Sequence, residues 1–360
     1  MRSLTRNQLT IFSIAILLVS CQVEEKHEVN FHQIETDEFL ALTGTEMSVI
    51  DSGCYYDGML TDSMLLLTDG CNDDFLYGFD LRGFNVVFEA GRAGQGPGDF
   101  ISVPFFSQSN NNNEITVWDP AGFLKEAKLE GSNLVFPESN HLNVEFGGAK
   151  TVSQIGDRVY ASKHRSAKGI GLYHDMGAED VQWVKPPDYI QTYMDDFVSG
   201  DELGLPIGDN NMVVGDAEQF VAVGMKYFNN LFFIDSKGTL LKSFLIGRKE
   251  EQYSLIAPTA DRDMQFLPEQ SNVFIYDSYV TDHYFYFLSY AGESLYNFQN
   301  HYDYGNPHLL VFDYEMNFVS GFSFDRMLTF ICISPDDKRL FGGAMGTNDL
   351  TAVVEYQLDL

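Results

Sequence analysis

Basic residues and cysteines are scarce in this chain. Lysine and arginine total 22 against 52 acids in 360 residues, a formal net charge of −30. So acidic a protein repels phosphate backbones and anionic headgroups, which argues against nucleic acid or anionic phospholipid as ligand. Cationic and neutral ligands, sugars included, stay open, and solubility alone also accounts for the acidity. The one basic cluster, KHRSAK at 163–168, would draw an anion locally, although a solvated hairpin tip is the plainer account. The 4 cysteines stand at 21, 54, 71 and 332, and no spacing among them is that of a zinc site. Helical periodicity is missing throughout the body of the chain. Also missing are GxSxG, HExxH and an EF-hand loop, so no catalytic or calcium-binding motif is legible.

The first residues differ from the rest. Arg2 and Arg6 precede an apolar run from Ile11 to Val19, and Ser20 stands just before Cys21. The run is too short to span a bilayer and has the layout of a secretory signal peptide over residues 1–20. Leu18, Val19, Ser20 and Cys21 resemble the lipobox of bacterial lipoproteins, in which cleavage before the cysteine is followed by its acylation. That implies lipidation of Cys21, a tether over 21–26 and a membrane anchor without a transmembrane helix, each buried methylene contributing about 0.8 kcal/mol. The acidic stretch QVEEKHE resembles the tracts that send such lipoproteins to the cell surface; a solvated tether fits it equally. Removal of residues 1–20 takes away two arginines and no acid, leaving 20 minus 52, or −32.

In an exported, oxidising setting Cys54 and Cys71, which flank one expected hairpin, can pair, closing a loop that contributes roughly 3 kcal/mol. Two buried free thiols fit as well. Cys332, within LTFICIS, has the surroundings of a core residue.

Beyond residue 26 the chain alternates apolar and polar residues in short runs, with Gly, Asp and Asn at the corners. Aromatics make up 14% of the chain, which favours strands. The runs group in fours: from 47 to 91, 101 to 139, 144 to 187, 210 to 247 and 272 to 325, the first of them opening on a strand over 47–56. A last group from 328 has only three clear strands. The spare extended segment at 27–35 is expected to supply its fourth, which leaves no open edge. The expected fold is therefore all-β, a six-bladed β-propeller over 27–360 with its last blade closed by an N-terminal strand at about 27–35; seven blades or an incomplete ring are the alternatives.

GRAGQGPGDF at 91–100 joins the first group to the second. Its glycines suggest a phosphate cradle, but the Lys and Ser/Thr of a P-loop are missing and no helix follows, so a sharp passage between packed sheets is the better account. Arg92 and Gln95 within it are candidate ligand contacts facing a central channel. A phrase of apolar residue, Asp, two residues and a turn former recurs at 79–83, 118–122, 234–238 and 312–316, where the Asp caps a turn. Residues 91–122, with Gly96, Pro97, Gly98, Phe100, Pro104 and Asp119, resemble an NHL-type repeat. Together with the lipobox and acidic tether, the chain resembles the NHL-like or TolB-like six-bladed propeller lipoproteins of Bacteroidota. No second GPG occurs.

Three long interruptions stand out, at 188–209, 248–270 and 293–307, and loops of such length are usually functional or disordered. The last holds Asn297, Asn300, His301, Tyr302, Tyr304 and Asn306, ring faces and amides suited to a sugar; His301, Tyr302 and Tyr304 are the candidate contacts. Asp195, Asp196, Asp201 and Glu202 offer the hard oxygens that calcium takes, against the plainer reading of a solvated loop; no cofactor is demanded. The expected function is that of a noncatalytic binding or scaffold protein, lipid-anchored at the outer membrane or cell surface, with a sugar, peptide or protein as ligand. The alternative is a hydrolase or lyase on sugars or lactones with a metal at the ring axis.

Overall fold

A computed structural model describes residues 32–360, apart from 37, 52, 108–114, 132, 143–145, 156–157, 164–170, 176–179, 185–209, 215–219, 227, 236–238, 248–255, 259–263, 267–271, 295–306 and 346–349. Residues from Phe31 onward form one compact unit. The fold is all-β. Among the described residues the chain builds antiparallel meanders of four strands, each starting with its innermost strand and working outward. The first sheet is Tyr55–Leu60, Met64–Asp69, Asp74–Asp80 and Val86–Arg92; the second is Phe105–Ser107, Ile115–Asp119, Phe123–Glu130 and Asn133–His141. Ala149–Ile155, Arg158–Lys163, Gly171–Asp175 and Gln182–Val184 make the third. The fourth is Asn210–Val214, Phe220–Met225, Asn230–Asp235 and Leu240–Ile246; the fifth is Asn272–Val280, Tyr284–Ser294, His308–Asp313 and Phe318–Phe324. The sixth has Leu328–Ile333, Arg339–Met345 and Thr351–Gln357, and a separate hairpin pairs Ile256–Pro258 with Met264–Phe266. Each innermost strand lies beside that of the next sheet, with Leu328–Ile333 beside Tyr55–Leu60.

The fourth strand of the sixth sheet comes from the N-terminal side, but not from 27–35. Thr45–Glu46 pairs antiparallel with Thr351–Gln357, Glu46 opposite Val354. Its hydrogen bonding continues through Met47 N to Val353 O at 2.8 Å. His32–Ile34 instead runs parallel to Leu240–Ile246 as a fifth strand of the fourth sheet, and Leu40–Leu42 runs parallel to Phe318–Phe324 on the fifth. Residues 32–46 thus lace the outer edges of three consecutive sheets. Side-chain chemistry decides this placement. Ile34 enters an apolar cluster with Phe244, Ile246 and Phe312, and the Phe39 ring lies over Gly321, where any Cβ would collide with it at 2.4 Å.

The opening strand of the first sheet is also displaced from expectation, to Tyr55–Leu60 from 47–56. The residues before it spend backbone groups elsewhere: Ile50 N bonds Met47 O in a turn, and Gly53 exchanges bonds with Thr351. Between the fourth and fifth sheets the core is aromatic. Phe233, Phe244, Phe285 and Phe312 are buried and meet edge to face at centroid separations of 4.9 to 5.9 Å for the Phe233–Phe285, Phe233–Phe312 and Phe244–Phe312 pairs, a geometry that the ring quadrupole favours.

Ile34 is buried whereas Leu40, in the neighbouring strand of the lacing segment, is 56% exposed. Ile34→Ala is expected to lower stability by about 2–4 kcal/mol, and Leu40→Ala by less than about 0.5 kcal/mol, in denaturant melts. Equal effects would mean that His32–Ile34 is not docked in solution.

Candidate functional site

A meander of four strands has two unlike ends. The inter-sheet joints and the turns between second and third strands fall at one end, here the joint end; all other turns fall at the opposite end. The long connections, 185–209, 247–271 and 295–307, all join strands at the joint end. At the opposite end the longest connection between described strands is 108–114. Long loops on a rigid frame are where binding groups are usually carried. The described part of this end includes the exposed apolar side chains of Tyr56 and Ile101, and the disulfide between Cys54 and Cys71, whose Cα atoms are 5.3 Å apart. Asp69, buried, accepts from Cys71 N at 2.7 Å and Asn72 Nδ2 at 3.0 Å, and the Tyr56 ring covers Gly70.

The joint at 91–104 is built from the inside. Phe100 is fully buried, edge-on to Phe136 at 5.4 Å, and its N–H bonds Arg92 O at 2.8 Å. Gly91, at φ +77°, lies against the Phe100 ring, so a side chain there would be both strained and crowded. Asp99 Oδ2 accepts from Gly96 N at 2.8 Å. Beneath the loop Lys125, on Phe123–Glu130, is buried; its ammonium sits 4.4 Å from the Phe100 ring centroid and donates to the carbonyls of Asp99 and, at 3.4 Å, Pro97. Burial pushes this ammonium below the usual lysine range, and the carboxylates of Asp119 and Asp99 oppose that. Asp119 completes the joint by accepting from Ile101 N at 2.7 Å and Ser102 Oγ at 3.0 Å. Trp118 beside it is buried and donates from Nε1 to Ala149 O of the third sheet at 3.1 Å.

The recurring Asp residues are turn caps. Asp80 takes the N–H groups of Arg82, Gly83 and Asn85, Asp235 that of Thr239, and Asp313 that of Asn317. Arg92 does not face a channel. It ends the outermost strand of the first sheet, its side chain 72% exposed, and pairs at 2.9 Å with Asp74, which lies directly opposite it on the neighbouring strand. Gln95 is exposed on the crossing at the joint end. His301, Tyr302 and Tyr304, the acids at 195, 196, 201 and 202, and Cys21 lie outside the described residues.

Two carboxylates that patterning passed over stand on the innermost strands. Asp57 Oδ1 accepts from Gly58 N at 2.8 Å, and its Oδ2 from Phe106 N of the second sheet at 2.7 Å. Asp277, on the fifth sheet, accepts from Ile331 N of the sixth at 2.7 Å. Each ties its strand to the next sheet by satisfying an N–H on an edge that has no strand partner. Burial pushes the Asp57 carboxyl up to about 8, with Asp277 adding to the rise and the two N–H donors opposing it. Cys332, buried and unbridged, feels both carboxylates, and burial above all drives its thiol well above the usual range. Tyr279 OH accepts from Leu60 N at 3.3 Å, joining the fifth sheet to the first. The shared signal is Tyr-Asp-small, Tyr56-Asp57-Gly58 and Tyr276-Asp277-Ser278.

No family model matches the chain, and no curated protein does. Solved structures of similar fold include a member of the DUF4221 family from Bacteroides vulgatus at 9% identity, covering 88% of this chain and 96% of that one with a TM-score of 0.51. A putative exported protein from Bacteroides fragilis is similar at 10% identity over 92% and 99%, TM-score 0.51. The RRP9 WD40 repeats are similar at 9% over 88% and 100%, TM-score 0.52. At such identity the likeness speaks of fold: the chain is a β-propeller.

Lys125→Met keeps the apolar stem and removes the donor to the joint. The expected loss is about 1–3 kcal/mol in denaturant melts, with faster protease cleavage within 93–99. Unchanged cleavage would mean that the glycine-rich joint holds its shape without the ammonium.

Proposed function

We propose that this propeller is an exported lipoprotein, anchored through an acylated Cys21, that acts as a noncatalytic binding or scaffold protein and presents its joint end to a ligand. The observation that carries the reading is the one-sided placement of 185–209, 247–271 and 295–307 on an otherwise short-turned frame. A rigid scaffold with long segments at one end is the architecture of a recognition surface. The innermost carboxylates support a structural frame, since Asp57 and Asp277 accept backbone N–H groups of neighbouring sheets. The leader and Cys21 support the anchor, and the Bacteroides source of two structures of similar fold, one described as a putative exported protein, agrees with an outer-membrane or surface location. The resemblance to NHL-like and TolB-like propeller lipoproteins points the same way. The ligand is a sugar, a peptide or a protein, and for a sugar the contacts would be His301, Tyr302 and Tyr304.

Cys21→Ala is expected to abolish incorporation of labelled palmitate and to shift the protein from the membrane to the soluble fraction of its host. Retention in the membrane without label would refute the anchor. On a glycan array, the double variant Tyr302→Ala, Tyr304→Ala is expected to lose about tenfold or more in signal, whereas Asp62→Ala, at the opposite end, is expected to keep it. Chelator-sensitive release of sugar or opening of a lactone by the wild-type protein would overturn the noncatalytic reading.

A further inference from the structure

A disulfide stands at the seam where the last sheet meets the first. Cys54, just before Tyr55–Leu60, is bridged to Cys71, in the turn after Met64–Asp69, at a sequence separation of 17. Gly53, the residue before the bridge, exchanges backbone bonds with Thr351 of the sixth sheet: Gly53 N donates to Thr351 O at 3.1 Å and Thr351 N to Gly53 O at 2.6 Å. One short segment is therefore fastened on two sides, by sulfur to the first sheet and by its backbone to the sixth. Its packing is close. A Cβ on Gly53 would meet Asp69 Oδ2 at 2.6 Å and the Tyr55 ring at 2.9 Å, and Tyr55 OH donates to Asp51 O at 2.8 Å. Gly70 N, beside Cys71, donates to Cys54 O at 3.0 Å, and Thr351 Oγ1 to Tyr55 O at 3.4 Å. Cys71 is exposed and Cys54 half-buried, so the bridge is open to a reagent in solution, whereas Cys332 is buried and unbridged.

We propose that the Cys54–Cys71 disulfide is a redox-operated clasp of this seam: oxidised, it holds the segment in which Gly53 pairs with Thr351; opened by a dithiol reductant, it frees that segment and with it the start of Thr351–Gln357. The pairing of Gly53 with Thr351 is an isolated bridge outside the regular strands. Two such backbone bonds contribute little net against the entropy of ordering their segment, so the covalent link decides whether they persist. The opening step is thiol–disulfide exchange. A reductant thiolate attacks Sγ of the exposed Cys71, forming a mixed disulfide and expelling the Cys54 thiolate, which takes up a proton. The second thiol of the reductant, as thiolate, then displaces the Cys71 thiolate, which is protonated in turn; the reductant ends as a disulfide and two electrons have passed to the protein. What opens is local. The innermost strands stay packed through Gly58 against Phe330 and Cys332, and through the bond from Leu60 N to Tyr279 OH. The sixth sheet is the side that yields, because Thr351–Gln357 is covered only by Thr45–Glu46, whereas Asp74–Asp80 of the first sheet is covered by Val86–Arg92. An oxidising compartment keeps the clasp shut, and a reducing one opens it.

Amide exchange followed by mass spectrometry, with and without dithiothreitol, tests the clasp. In a parallel sample capped with iodoacetamide, reduction is expected to add alkyl groups at Cys54 and Cys71. Peptides containing Gly53 and Thr351 are expected to lose protection about tenfold or more on reduction, while those of Ile115–Asp119 and Phe123–Glu130 hold theirs. The double variant Cys54→Ser, Cys71→Ser is expected to show the loosened pattern without reductant and to be unmoved by it. Should that variant fold poorly, the reduced wild type decides alone. No added alkyl groups, unchanged exchange at Thr351 once both cysteines are reduced, or an even loss of protection across all sheets would each overturn the clasp.

Discussion

The pairing of Thr45–Glu46 with Thr351–Gln357 is the constraint on which the rest depends. Without it the sixth sheet has three strands and leaves the outer side of Thr351–Gln357 unpaired, and the backbone tie between the sixth sheet and the segment leading into the first is the exchange of bonds between Gly53 and Thr351. Its few backbone bonds are reinforced from several directions. Gly44 N donates to Asp325 Oδ1 at 3.2 Å, Tyr356 OH donates to the same oxygen at 2.9 Å, and Arg326 reaches Glu46 at 3.4 Å. Gly44 is needed where it stands, since a Cβ would fall 2.3 Å from Val354. A short strand thus closes the sheet because the segments on either side of it are docked.

Much of this architecture was legible in the sequence. From residue 105 onward, the grouping of strands in fours follows alternation and turn residues, because a half-buried strand must alternate and a tight turn must carry Gly, Asp or Asn. The N-terminal lacing was not legible in detail. HEVNFHQIE and FLALTGTE are equally extended and equally short of strong alternation, and which edge each one takes is set by shape. Ile34 needs the phenylalanine-rich pocket beside Leu240–Ile246, and Phe39 needs the bare backbone of Gly321. Neither partner is a neighbour in sequence.

Much the same holds at the candidate site. The recurring Asp-containing turns could be read, since each carboxylate serves N–H groups a few residues away. Asp57, Asp277 and Lys125 could not, because their partners Phe106, Ile331 and the Asp99 carbonyl lie on a neighbouring sheet or in the joint, far from them in sequence. Asp57-Gly58 has the composition of a turn and sits in a strand, where the glycine makes room for Phe330 and Cys332. Local patterning reports what a residue does for its own hairpin. It is blind to what a residue does for the next sheet.

The lacing segment also has a mechanical meaning. His32–Ile34 and Leu40–Leu42 both lie parallel to the outer strands they join, His32 opposite Phe244 and Leu40 opposite Phe322. A pull directed along such a strand loads its evenly spaced cross-strand bonds together, in shear, rather than peeling them one after another. Tension applied to the chain ahead of His32 is then shared by the edges of the fourth and fifth sheets before it reaches Thr45–Glu46. The two-residue pairing of Thr45–Glu46 is thereby the last to feel the load.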